Sequence, residues 1–163
     1  MDLPEGCHVE VLPFTNSSAA RLKILVREDS QKVKTDEFHR WSQTPSRMLT
    51  HYLKEAFRSR SSSAVVSEED KCFVLGGEIL AFEGNEKSRT GKLSAVLSLS
   101  RDGRTEYIPV QLEIPFSEED GASSENTVVA LRKASAELAA EAAEKIRNWG
   151  SSSSMKNGSR RNL

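Results

Sequence analysis

The chain has 163 residues, 37% of them hydrophobic and 29% charged, which fits one compact unit around one modest core. Lys and Arg number 23 against 24 Asp and Glu, and the net charge of -1 lacks the basic excess of a nucleic-acid-binding domain. No run approaches the ~20 apolar residues of a membrane-spanning helix, and the first residues, Met1 to Cys7, carry neither the basic nor the apolar region of a signal peptide.

Residues 8–14 alternate with period two and read as a first strand, which Pro13 assigns to an edge or a strand end. Residues 21–27 form a second strand, and the turn at 28–31 returns it into 32–34 as a small hairpin. Thr44-Pro45 is a helix start, because Thr can accept an orphan backbone N–H and Pro at the first helical position lacks one. Behind it Met48, Leu49, Tyr52, Leu53, Ala56 and Phe57 make one apolar face, closed by the Arg/Ser run at 58–63. A short strand at 64–66 and an acidic turn at 68–70 follow.

Residues 72–83 carry the clearest strand signal, interrupted by Gly76-Gly77, which predicts a bulge or a close backbone approach there. Residues 84–91 read as a polar loop. Leu93, Ala95, Leu97 and Leu99 alternate with Ser94, Val96, Ser98 and Ser100, so one face is buried and the other is mostly solvated. Asp102-Gly103 supplies the positive φ angles of a tight hairpin. The returning strand sets Ile108, Val110, Leu112, Ile114 and Phe116 on one side, while Pro109 and Pro115 mark it as an edge. Ser123 or Ser124 caps a long helix to Trp149, with Val128, Leu131, Leu138, Ala142 and Ile146 on its apolar stripe. The expected fold class is α+β, a mostly antiparallel sheet with two main helices packed on one face. Residues 1–7 form a leader, 8–149 the single domain, and 150–163 a Ser-rich basic tail expected to be disordered.

Chemistry-bearing patterns are sparse. His8, His39 and His51 do not pair with one another or with Cys at metal-ligand spacing. His39 follows Asp36-Glu37 and reads as a strand-end histidine rather than an oriented base. Nucleophile-elbow, P-loop and dinucleotide glycine patterns are missing. Cys7 and Cys72 fit either packed thiols or one disulfide. Glu78 falls on the face of Val74, Leu80 and Phe82 and reads as a sheet-rim contact. No catalytic, cofactor-binding or metal-binding residue is nominated, and the chain is expected not to be an enzyme. What remains is Phe38-His39-Arg40-Trp41 ahead of the first helix, where a tryptophan either seals a core edge or forms a contact surface.

In order and spacing, several landmarks resemble the ABC-type transport auxiliary lipoprotein family, over roughly Val9 to Trp149. They are Arg27 closing an early strand, Phe38-His39-Arg40-Trp41 with Pro45, Met48, Leu49, Leu53 and Phe57, the strand end Ile79 to Glu83, Gly91-Lys92-Leu93, and the Ala-rich terminal helix. The resemblance implies a non-enzymatic periplasmic accessory protein without cofactor. Its partners would be an MCE-domain protein and an ABC permease and ATPase that move lipid across the Gram-negative envelope. It also implies a precursor with an anchor cysteine upstream of Met1, possible homo-oligomers and no nucleic-acid partner. Arg40, Trp41, Arg47 and Met48, at the start of the first helix, are the candidate partner-binding surface, since Trp and Arg are enriched at interaction hot spots. On that expectation Trp41→Ala leaves stability within ~1 kcal/mol of the parent. The alternatives are a lipid carrier with its own apolar cavity between helices and sheet, and a different outer-membrane-associated structural lipoprotein.

Overall fold

The computed structural model describes residues 8–60, 71–119 and 121–160, with side chains except at 37, 38, 59, 60, 71, 72 and from 150 onward. The expected strand at 64–66 and the question of a Cys7–Cys72 disulfide lie outside the described residues. The elements in chain order are β1 (His8–Val11), β2 (Thr15–Asn16), β3 (Lys23–Arg27), β4 (Val33–Arg40), α1 (Pro45–Arg60), β5 (Lys71–Asn85), β6 (Thr90–Arg101), β7 (Arg104–Pro115) and α2 (Ser123–Arg160). The fold is α+β. The helix bounds of α2 run past Trp149, where sequence periodicity ends, to Arg160.

The described strands join one seven-stranded sheet of order β4-β3-β5-β6-β7, with β1 and β2 also paired to β5. The 15-residue β5 is its template. Along one edge it takes β1 against residues 71–75, β2 against Glu78-Ile79 and β3 against Gly84-Asn85, all parallel. The β3–β4, β5–β6 and β6–β7 pairs are antiparallel. Parallel pairing follows from the connection: α1 carries the chain back so that β5 runs in the direction of β3, as a crossover does.

Residues 36–40 belong to β4, beyond the hairpin arm expected at 32–34. The Asp102-Gly103 turn forms as the sequence predicts, with φ of 52° and 76°. Pro109 and Pro115 share one parity of β7. The Phe116 N–H, of the opposite parity, turns inward to the Arg89 carbonyl at 2.9 Å. Both prolines therefore face the open edge, where they remove donors that another strand could use.

The bulge in β5 is not at Gly76-Gly77, which pair regularly with Ser98 and Leu97. It comes at Leu80, where Ile79 faces Ala95 and Ala81 faces Ser94, one extra residue on β5. Gly77 instead gives the close approach, since a Cβ there would lie 2.5 Å from the Phe14 ring. Because side chains alternate along a strand, the extra residue switches parity. Phe73, Leu75 and Ile79 are buried before it and Phe82 after it, whereas Leu80 is 45% exposed.

The core lies between the sheet and both helices, with Leu49, Leu53 and Phe57 of α1 and Leu131, Leu138 and Ile146 of α2 meeting Phe73, Leu93, Leu97 and Leu99. The N-terminal end of α2 is seated by a glycine pair, Gly84 opposite Gly91. A Cβ at Gly84 would fall on the Thr127 hydroxyl, and one at Gly91 would lie 2.5 Å from the Ala130 Cβ. These glycines belong to strands, so the loop expected at 84–91 shortens to the turn at 86–89. At that turn Lys34 Nζ lies 3.0 Å from Glu86 Oε1, and the Ser123 hydroxyl donates to the same oxygen at 3.2 Å. The Lys34 hydrogen bond above all holds the Glu86 carboxyl below its usual range, against the opposing effect of burial. Ser123 and Ser124 are first-turn residues of α2. The preceding Ala122 carbonyl accepts the Asn126 N–H, and the Asn126 amide brackets the Glu118 backbone at 3.1 Å on both sides. At the far end Trp149 stands edge-on to Phe73 at 5.5 Å, with Arg101 over Phe73 and Arg104 over Trp149.

Gly91→Val drives two methyl groups into Ala130, and overpacking of this kind costs about 1–3 kcal/mol. Urea unfolding of the variant is expected to show that loss with an unchanged m-value. A midpoint equal to the parent's would mean that α2 does not sit on Gly91 as described.

Candidate functional site

The start of α1, the end of β4 and the first turns of α2 enclose an open cleft of about 550 Å³ over the sheet. The parity switch in β5 turns Phe82 toward it. Trp41 stacks on Phe82 with ring centroids 5.3 Å apart and a tilt of 59°. The Trp41 backbone N–H donates to the Leu22 carbonyl at 2.7 Å, extending the β3–β4 pairing by one residue and fixing where the indole starts. Its Nε1 is buried without a hydrogen-bond partner among the described residues, so packing and backbone, not a side-chain hydrogen bond, hold the ring. Helix α1 adds Met48, Leu49 and Tyr52, which share a face by their spacing. Helix α2 closes the other wall with Val128, Leu131, Arg132 and Ser135. The placement of α1 is set by Thr50, whose hydroxyl accepts the Phe14 N–H at 2.9 Å and donates to the Ser46 carbonyl at 2.6 Å.

Apolar surface forms the interior and charge the rim. Arg40 and Arg132 line the cleft, both exposed and neither with an ion-pair partner among the described residues. Glu125 is the carboxylate on the lining. His39, also at the rim, has Nδ1 2.9 Å from Asp36 Oδ2, and its backbone N–H donates to Asp36 Oδ1 at 3.1 Å. The His39 ring is exposed, as a strand-end histidine is, while the Asp36 side chain is mostly buried.

Of the four predicted site residues, the structure brings Arg40, Trp41 and Met48 together. Arg47 lies on another flank of α1, beside a shallower groove of about 290 Å³ with Gln43, His51 and Lys54. Trp41 is half-buried against the core and seals its edge while walling the cleft. Sequence reasoning missed Phe82, Val128 and Arg132 as neighbours of Trp41. Val128 and Arg132 are four residues apart on α2, so helical spacing put them on one face, but nothing local said which element that face meets.

Glu78 does not share a face with Phe82, because the extra residue between them reverses the parity. It is half-buried on the side away from the helices and accepts a hydrogen bond from the Ser17 hydroxyl. Glu83 meets Arg27 in a two-pronged pair, Nε to Oε2 at 2.6 Å and Nη2 to Oε1 at 3.3 Å, joining β3 to β5. Among the described residues no group of three His, Cys, Asp or Glu side chains could hold a metal ion.

The family model of the ABC-type transport auxiliary lipoprotein component matches residues 9–143, from β1 through most of the packed length of α2. The chain belongs to that family. This auxiliary component shares its fold with the crystal structure of protein XCC0632 from Xanthomonas campestris. The TM-score is 0.72 at 17% identity, over 93% of this chain and 91% of that one. A crystal structure of a protein described as uncharacterized gives a TM-score of 0.70 at 17% identity, over 90% and 96% of the two chains. At such identity the likeness is one of fold. No curated protein matches the chain. Membership groups it with envelope-associated, membrane-anchored components of ABC-type transport systems. No described helix is long and apolar enough to cross a membrane.

Because Trp41 both seals the core edge and stacks on Phe82, Trp41→Ala in the auxiliary component is expected to cost about 3 kcal/mol or more, above the ~1 kcal/mol expected of a surface residue. Trp41→Phe, which keeps a ring against Phe82, is expected to recover most of the loss. Thermal and urea unfolding decide, and an alanine variant as stable as the parent would put the indole at the surface.

Proposed function

We propose that the chain is a non-enzymatic accessory module that docks an MCE-domain subunit alongside an ABC permease and ATPase in the Gram-negative periplasm, helping to move lipid between membranes. The observation that carries this reading is the family match over residues 9–143, which covers the sheet from Val9 onward, all of α1 and α2 as far as residue 143. The geometry supports it at the N-terminal end of α1. Arg40 and Arg47 stand exposed on two flanks of that end, and neither has an ion-pair partner among the described residues. An arginine held on a rigid element with its guanidinium free is a ready donor for a carboxylate of a partner. On this reading a lipid anchor upstream of β1 holds the domain at a membrane, and the nucleotide chemistry belongs to the ATPase subunit.

Full-length anchored protein purified from membranes should bring MCE and permease subunits with it. Arg40→Glu with Arg47→Glu should weaken that recovery about tenfold or more, since reversing two cations puts like charges across the contact, and should leave the unfolding midpoint close to the parent's. Recovery of the anchored protein without any MCE or permease subunit would contradict the reading.

A further inference from the structure

We propose that the cleft between α1 and α2 binds the acyl chain of an anionic single-chain lipid, with Arg40 and Arg132 taking its head group. The inference deepens the reading of an accessory module in lipid movement, and rests on it for its physiological sense. Its chemistry comes from the order of groups along the cleft. Among the lining residues Phe82 and Leu131 are buried, Trp41 is half-buried, and Tyr52 and the two arginines are exposed, so burial grades from an apolar floor past two amphipathic rings to a cationic rim. Hydrocarbon, amphipathic ring and cation follow one another here as they do at a membrane surface, where Trp and Tyr sit between acyl chains and head groups. Arginine suits the outermost layer because its stem covers apolar surface while its guanidinium stays in water.

Charge and size both favour this occupant. The rim carries two guanidinium groups without ion-pair partners among the described residues against the single carboxylate of Glu125, while His39 is engaged by Asp36. An anionic head group therefore complements the rim better than a zwitterionic one. The cleft of about 550 Å³ falls in the range of small-molecule sites.

The test uses the purified whole chain with 1-myristoyl-lysophosphatidylglycerol, and 1-myristoyl-lysophosphatidylcholine as a probe with the same chain and a zwitterionic head. Native mass spectrometry and tryptophan fluorescence should report one lipid per chain, with the anionic lipid bound about tenfold more tightly. Shortening the chain should weaken binding roughly fourfold per methylene removed. Val128→Trp, which adds an indole to the half-buried α2 wall of the cleft, should abolish binding. Arg40→Glu with Arg132→Glu, at exposed positions that do not threaten folding, should erase the preference between heads. Absence of saturable binding, equal affinity for the two heads in the parent, or undiminished binding by a folded Val128→Trp variant would overturn the inference. If the anionic lipid fails to bind while Arg47→Glu still weakens partner recovery, docking stands without this ligand. If lipid binds but no transport subunit co-purifies, the docking reading fails alone.

Discussion

One extra residue in β5 organises the molecule. Leu80 breaks the alternation, so that Phe82 faces the helices and Glu83 faces away from them. Without the bulge, strict alternation from Phe73 would aim Glu83 into the core and Phe82 out of it. The parity switch therefore does two jobs at once. It gives Trp41 the ring on which it stacks, and it aligns the Glu83 carboxylate with the Arg27 guanidinium across β3 and β5. The floor of the cleft and the joint between the N-terminal strands and the meander are consequences of the same local irregularity.

Around that irregularity the helices are positioned by absence of bulk on one side and by polar ties on the other. Gly84 and Gly91 leave a flat on which Thr127 and Ala130 rest, bringing the first turns of α2 close to the sheet. Thr50 and the Phe14 backbone hold α1 from the opposite side. The two helix starts thus lie across from each other over Phe82, and the gap between them is the cleft. Since Arg40 ends β4 while Arg132 rides on α2, the rim is assembled from elements far apart in sequence. Any shift of α2 would change the spacing of the two cations together with the depth of the apolar interior.

Much of this was legible in the sequence where the signal is local. The Asp102-Gly103 turn, the alternation of β6 and β7 and the apolar face of α1 each depend on neighbours a few residues away, and each forms as read. The bulge was illegible because Ile79 to Phe82 are all apolar, leaving no polar marker to show which residue changes face. Glycine was legible only in part. Of the two readings open for Gly76-Gly77, the close approach holds at Gly77 and the bulge lies elsewhere, while Gly84 and Gly91 were read as loop and serve as the seat of a helix. Arg40, Trp41 and Met48 could be nominated because they lie close together in sequence. Arg47 is adjacent to Met48, yet one step along a helix rotates it about 100° onto another flank. Phe82 and Arg132 needed the long-range topology.

The central claim is that the extra residue at position 80, not its side chain, builds the core and the cleft. Comparing urea unfolding of Leu80→Ser with that of a chain from which Leu80 is deleted tests it most directly. The account predicts that Leu80→Ser, at a half-exposed position, stays within about 1 kcal/mol of the parent, while the deletion variant, with Glu83 turned toward the core, loses cooperative unfolding or most of its stability. A deletion variant that unfolds cooperatively at the parent's midpoint would contradict it.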